Sequence, residues 1–194
     1  MSVVGLIDVI HWLEGLFTRL RIRRSYGGAI AYNYYGPPRL TQDIDVLAEI
    51  PALTIPAFVE ELATSDCQHG DREPQPVELR PVLDDLRGQA HLAVFLCYGI
   101  RVELFVPWHP FHYRVLERSP ERDLEGRPIR IHSAEDLILF KKIFDRPKDW
   151  TDIKAMLLAH KGALDLERIR TDGQLLLTPE SWNELDYLLE EYGK

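Results

Sequence analysis

Asp43 and Asp45 stand two residues apart in the run Asp43-Ile44-Asp45-Val46-Leu47-Ala48. The apolar residues alternate with them, so in a strand both carboxylates share one face. Like charges that close repel, which raises the pKa of at least one of them. A hard divalent cation reverses that balance, because oxygen ligands at this spacing can share it. Glu103, in the second alternating run 100–106, would supply a third carboxylate. Three carboxylates suit a phosphoryl-type displacement, in which metal ions stabilise both the attacking and the leaving oxygen. Gly27-Gly28 precedes a short helical run, a place where backbone N–H groups can approach phosphate oxygens. An isolated aspartate–x–aspartate triplet is common by chance, so its weight comes from these neighbours.

The elements that must position these groups are legible in outline. Residues 3–22 carry Val3, Leu6, Ile7, Ile10, Leu13, Leu16, Phe17 and Leu20 at helical spacing, with arginines at the end that suits the helix dipole. Residues 25–28 predict a short strand ending in a glycine turn. Residues 29–35 predict a short helix stopped by Gly36-Pro37-Pro38. Residues 43–48 predict a strand, 56–64 a helix with Pro56 in its first turn, and 65–76 a loop, while 77–88 are ambiguous. Residues 91–97 and 100–106 predict two strands joined tightly at Tyr98-Gly99, with Arg101, Glu103 and Phe105 on one face. Residues 107–128 are mixed, and 128–131 predict a short strand. Ser133 followed by Asp136 opens a helix to about Phe144. Further helices are expected at 149–160 and 181–192. The order predicts an α+β fold: a mixed sheet flanked by helices over 1–118, with a mostly helical part over 119–194 packed on it.

Composition narrows the function classes. The 194 residues are 45% hydrophobic and 28% charged, the profile of an ordinary globular protein with room for one sizeable core. A net charge of -8 argues against a broad basic surface for duplex nucleic acid. Two local basic clusters remain, Arg19, Arg21, Arg23 and Arg24, and Lys141, Lys142, Arg146 and Lys148. Cys67 and Cys97 have no metal or redox spacing. Cys97 sits in an apolar run and reads as a buried thiol, in keeping with a reducing cytoplasm. No apolar stretch approaches the roughly 20 residues that span a bilayer. The early apolar run is broken by Asp8, His11 and Glu14, which reads as a helix rather than a signal peptide. The expected localisation is cytoplasmic, with no membrane partner.

Taken together, Gly27-Gly28-Ala29, Tyr35-Gly36 and Arg39-Leu40-Thr41-Gln42-Asp43-Ile44-Asp45 resemble the signature of the DNA polymerase β-like nucleotidyltransferase superfamily. The likeness is greatest to its minimal bacterial branch of AbiEii-type and MenT-type toxins. Ala134-Glu135-Asp136-Leu137-Ile138-Leu139-Phe140-Lys141 and Arg146-Pro147-Lys148-Asp149-Trp150-Thr151-Asp152 are similar to that branch's later helices. The resemblance implies a nucleotidyltransferase core moving an NMP from an NTP to a hydroxyl of an acceptor RNA (tRNA-like) or protein, with Mg2+ or Mn2+. It implies that Asp43 and Asp45 hold the metals and that Glu103 is either a metal ligand or the base toward the acceptor hydroxyl. Gly27 and Gly28 would cradle the triphosphate. Lys141 would neutralise phosphate charge, with Asp149 or Asp152 as its acidic partner. Arg39 and Thr41 would contact phosphate or orient Asp43. It also implies a possible toxin role with a cognate antitoxin. The alternative is a catalytically silent nucleotide-binding or protein-interaction module on the same fold.

Several residues have plainer readings. Asp149 can cap the following helix. His109 and His112, with no cysteine nearby, read as loop or helix-start residues rather than a metal site. Trp108, Trp150 and Trp182 read as core or interdomain packing, and the arginines of 19–24 as a solvated helix end.

Overall fold

Val9, Ile10, Leu13, Leu16 and Phe17 form the buried stripe of α1 (Leu6–Arg19), a helix whose apolar spacing leaves one face for the core. Each such side chain contributes roughly 1.5–3 kcal/mol when fully buried. The computed structural model describes residues 4–193. Val3, expected in this helix, lies outside them.

After α1 come β1 (Arg23–Tyr26), α2 (Gly28–Tyr32), β2 (Asp43–Glu49) and α3 (Ile55–Ala63). Next are β3 (Cys67–His69), β4 (Gln75–Pro76) and α4 (Leu79–Arg87). They lead into β5 (Leu92–Cys97), β6 (Ile100–Phe105) and α5 (Pro110–Arg118). β7 (Glu121–Leu124) and β8 (Arg127–Arg130) form a separate hairpin. Four helices follow: α6 (Ala134–Phe144), α7 (Pro147–Ala159), α8 (Leu166–Leu176) and α9 (Pro179–Tyr192).

Six strands form one sheet in the order β1-β2-β6-β5-β3-β4. Only β2 and β6 pair in parallel; the other neighbours are antiparallel. The fold is therefore the expected α+β one, a mixed sheet flanked by helices with helices gathered in the C-terminal part. Tyr98 and Gly99 both have positive φ, 51° and 79°, the backbone of a two-residue hairpin turn. That turn fixes the β5–β6 register. Beyond the hairpin β7–β8, Ile131 bridges to Tyr26 and the His132 N–H donates to the Tyr26 carbonyl at 2.8 Å. The start of α6 is thereby tied to the edge strand β1.

The long helices are joined by ion pairs. Arg118 on α5 donates to Asp136 at 2.9 Å and to Asp172 at 2.7 Å, linking α5 to α6 and α8. Buried Lys142 pairs with Asp145 and Glu184, both at 2.7 Å, and lies over the Trp150 ring. It thereby joins α6 to α7 and α9.

Four local expectations are corrected. Residues 65–76 are not a plain loop but hold two short strands: β3, which pairs with β5, and β4, which pairs with β3 at the edge of the sheet. They carry no apolar alternation because their outer surface is exposed, so no periodicity marks them. The 107–128 segment contains α5, started by Pro110 after His109, whose ring nitrogen accepts from the Phe111 N–H at 3.2 Å. Helix α8 was not expected. Gly173 lies in its buried face, where an added Cβ would come within 2.7 Å of the Trp182 ring. The last correction concerns Cys97, which is not a free thiol. It forms a disulfide with Cys67, its register partner across β3 and β5, with the two Cα atoms 4.1 Å apart. The cysteines meet only because those strands pair. Disulfides belong mainly to oxidising compartments, so the cysteines lend no support to a cytoplasmic placement. Among the described residues no helix is long and apolar enough to cross a membrane.

Candidate active site

The parallel register sets Asp45 beside Glu103 and Asp43 beside Arg101. Ile44 and Val46 point to the opposite face, where with Val102 and Leu104 they are buried. One face of two central strands thus carries Asp43, Asp45 and Glu103 together, from parts of the chain far apart in sequence.

The glycine turn is locked to this face. The Gly27 N–H donates to the Asp45 carbonyl at 2.9 Å. Gly28 has φ +49°, and an added Cβ would stand 1.7 Å from the Asp45 carboxylate oxygen Oδ2. No other residue fits there, on conformation or on space. Gly27 is pressed by His132, whose Nε2 would be 2.9 Å from an added Cβ.

Burial, then the charges of Glu103 and Asp43, push the Asp45 carboxyl up from 3.8 to about 6, against the opposing pull of Arg146 and Lys148. The repulsion expected from the sequence is therefore present at one carboxylate of the pair. Arg101 holds Glu103 in an ion pair and also reaches Asp71 at 3.1 Å. Thr41 flanks Asp43 through its backbone: Oγ1 accepts from the Asp43 N–H at 3.3 Å and donates to its carbonyl at 3.2 Å.

Lys141 and Lys142 are both buried, and it is Lys141 that lines the cleft over these carboxylates. Its Nζ lies 2.6 Å from Asp152 Oδ2 and 3.7 Å from Asp149 Oδ1. Asp152 is thus its nearer partner. Arg39 is turned to the same Asp152, at 3.3 Å, and lies over the Tyr32 ring, away from Asp43. Asp149 accepts from the Arg146 N–H at 3.2 Å at the start of α7 and from Arg146 Nε at 2.7 Å. It caps α7 while bracing Arg146.

Sequence reasoning did not single out two groups that line this cleft, Arg146 and His132. Arg146 is held above the ordinary arginine value chiefly by its hydrogen bond to Asp149, with Asp45 and Glu103 also contributing. Its membership of a basic cluster was the available signal. Arg101, two residues before Glu103, takes up that carboxylate. His132 is fully buried, stacked on Phe140 at 4.9 Å, with Nδ1 2.7 Å from Ser25 Oγ. Burial lowers its imidazole to about 3, so it is neutral. Nothing local in the sequence marks it.

Trp108 is corrected from packing residue to surface residue: it is 58% exposed at the mouth of the cleft. The basic residues of 19–24 are largely spoken for, because Arg19 pairs with Glu61 at 2.7 Å, Arg23 with Glu49 at 2.5 Å, and Arg24 with Glu14 at 3.0 Å. Among the described residues no three His, Cys, Asp or Glu side chains already converge as a metal cluster.

The sequence matches no protein-family model and no curated protein. Solved structures do resemble the fold. The solution structure of the antibiotic-resistance factor ANT(2'')-Ia matches with TM-score 0.54 at 16% identity, over 95% of this chain and 97% of that one. An antigenic nucleotidyltransferase-like protein from Paracoccidioides brasiliensis matches with TM-score 0.52 at 17% identity, over 95% and 92%. The lincosamide antibiotic adenylyltransferase LnuA, bound to lincomycin, matches with TM-score 0.51 at 16% identity, over 80% and 98%. The chain therefore has a nucleotidyltransferase fold.

Proposed function

We propose that this chain is a divalent-metal-dependent nucleotidyltransferase that moves an NMP from an NTP to the hydroxyl of a small-molecule acceptor. The observation that carries the reading is the placement of Asp45 against both Gly28 and Glu103. A carboxylate wedged onto a glycine turn and raised to about 6 by burial first and by its acidic neighbours second is costly unless something uses it.

The donor pair suits a hard cation: Asp43 and Asp45 offer only carboxylate oxygens and share one face, and Asp45 feels the negative charge of Asp43 in its absence. Such an ion would neutralise the triphosphate and stabilise the oxygens that gain charge. Arg101 must release Glu103 for it to act as the base toward the acceptor hydroxyl. The Gly27-Gly28 turn lines the same cleft; the Gly27 N–H is held by the Asp45 carbonyl, so the backbone from Gly28 onward would meet the phosphates. Arg39 stays with Asp152, outside the residues that line the cleft, and would act through that partner of Lys141. Lys141 and Arg146 add positive charge at the cleft, each braced by an aspartate. Glu103 takes the proton of the acceptor hydroxyl. The acceptor oxygen then forms a bond to the α-phosphorus as the bond to the bridging oxygen breaks, and pyrophosphate leaves.

The resemblance to toxins suggests an RNA or protein acceptor. The glutamate partners of Arg19, Arg23 and Arg24 speak against a free basic groove for RNA, and a cleft that Asp45, Glu103 and Lys141 line together suits a small compound. ANT(2'')-Ia, found with adenylyl-2''-tobramycin, and LnuA show that related folds serve such acceptors. Arg101's hold on Glu103 favours one second reading, the silent nucleotide-binding module.

Incubation with ATP labelled at either the α- or the γ-phosphate separates the readings. Nucleotidyl transfer moves the α-label to an acceptor and leaves the γ-label in pyrophosphate. Magnesium-dependent binding of ATP with no label transferred to any hydroxyl compound or cell-extract fraction would support the silent module instead.

A further inference from the structure

A run of aromatic contacts leads from the surface to the glycine turn. Trp108 meets His112 at 5.5 Å, His112 stacks on Phe140 at 5.7 Å, and Phe140 stacks on His132 at 4.9 Å. His132 in turn rests on Gly27. His91 stacks on the other side of Trp108 at 5.3 Å. These residues line the same cleft as Asp45 and Glu103.

The inner part of this wall, formed by His112, Phe140 and His132, carries no charge near neutral pH. Burial, with His109 and His91 contributing, lowers His112 to about 4, and His132 is lower still. No carboxylate projects from it. The negative groups of the cleft are Asp45, Glu103 and Asp149; Asp149 is paired with Arg146 and Glu103 with Arg101, and a bound cation would claim Asp45. A polycationic acceptor would find no free anion along the wall, whereas a flat apolar ring would find rings to pack against. The exposed indole of Trp108 gives such a ring a surface at the mouth, and Glu103 stands at the inner end for its hydroxyl.

Resting on the nucleotidyl-transfer reading, we propose that this wall is the acceptor subsite and that the acceptor is an uncharged aromatic hydroxyl compound, a phenol or an aryl alcohol. The transfer would form an aryl or arylalkyl phosphodiester with the NMP. The acceptor proton passes to Glu103 and pyrophosphate is released.

The test uses 2-naphthol as probe and the full-length protein, with binding read by the change in naphthol fluorescence. Saturable binding is expected, retained at saturating ATP and magnesium. Trp108→Ala should weaken it roughly tenfold, while Trp108→Phe keeps most of it. Binding of a fluorescent ATP analogue, measured beside it, should be the same in all three proteins and reports that the variants are folded. Four results would overturn the assignment: no naphthol binding, displacement of naphthol by ATP, which would give the wall to the nucleobase, naphthol binding unmoved by Trp108→Ala, or tobramycin binding as tightly as naphthol. Naphthol bound as expected, with no AMP passed to it or to any other hydroxyl, would leave the aromatic subsite standing and remove the transferase reading instead.

Discussion

Gly28 faces the Asp45 carboxylate so closely that a methyl group on its Cα would overlap Oδ2, at 1.7 Å. The turn and the acidic strand are one device, and the positive φ of Gly28 serves to bring them together. Gly28→Ala therefore meets both a left-handed backbone and a clash with a buried side chain. The expected cost is about 2–4 kcal/mol, read as a lower urea midpoint. Gly27→Ala, which meets only the movable His132 ring, should cost less. Equal midpoints for Gly28→Ala and wild type would show that the turn is not locked to Asp45.

Asp45 gives a pH dependence whose sign is fixed. Its ordinary value is 3.8 and its native value about 6, so between those values the folded chain binds the proton more tightly than the unfolded chain. Stability owes nothing to this group below about pH 4, falls as pH rises toward 6, and stays lower above that by up to about 3 kcal/mol. Asp45→Asn should flatten that fall and stabilise the metal-free protein at pH 7. If the proposed site holds the ion, magnesium should stabilise wild type at pH 7 and leave Asp45→Asn unchanged, because a ligand of the native state alone raises stability. Thermal melts at several pH values, with EDTA or magnesium, check both; an Asn variant less stable than wild type at pH 7 would contradict the repulsion.

Lys141 and Asp152 form a buried pair at 2.6 Å. Lys141→Met leaves Asp152 with the Tyr32 side chain and the longer contact to Arg39 but without its closest cation, and should cost about 3–5 kcal/mol. Adding Asp152→Asn should recover a large part of that loss, a coupling that a double-mutant cycle measures directly. Additive losses would mean that the pair is not coupled.

The Cys67–Cys97 bridge closes a loop with a sequence separation of 30. Reduction should lower stability by about 3–4 kcal/mol on the loop-entropy estimate. Thiol titration of denatured, unreduced protein should find no free thiol; two would contradict the bridge.

Much of the site was legible because its signals are local. Strand period places Asp43 and Asp45 on one face, and the turn residues Tyr98-Gly99 give the hairpin that presents Glu103. The capping pair Ser133 and Asp136 marks the helix bearing Lys141, and Ser133 Oγ does accept from the Asp136 N–H at 3.2 Å. What stayed hidden depends on distant pairing. No spacing rule says that β2 lies parallel to β6, so the Asp45–Glu103 register waits on the fold. The disulfide was missed because β3 is only three residues long and carries no apolar alternation. His132 was missed because only packing on Phe140 and Gly27 gives it a role. Trp108 was misread because a tryptophan at a cleft mouth has the same sequence signal as one in a core.

The most direct test of the proposed chemistry is the rate of α-label transfer from ATP in magnesium, compared among wild type, Asp45→Asn and Glu103→Gln. Acceptors are drawn from small hydroxyl compounds, with circular dichroism confirming that each variant is folded. Transfer at the carboxylate site predicts a wild-type rate abolished by EDTA and lowered by about a thousandfold in both variants. A wild-type rate that survives EDTA, or variants that keep it, would contradict the proposal that Asp45 and Glu103 form the reacting centre.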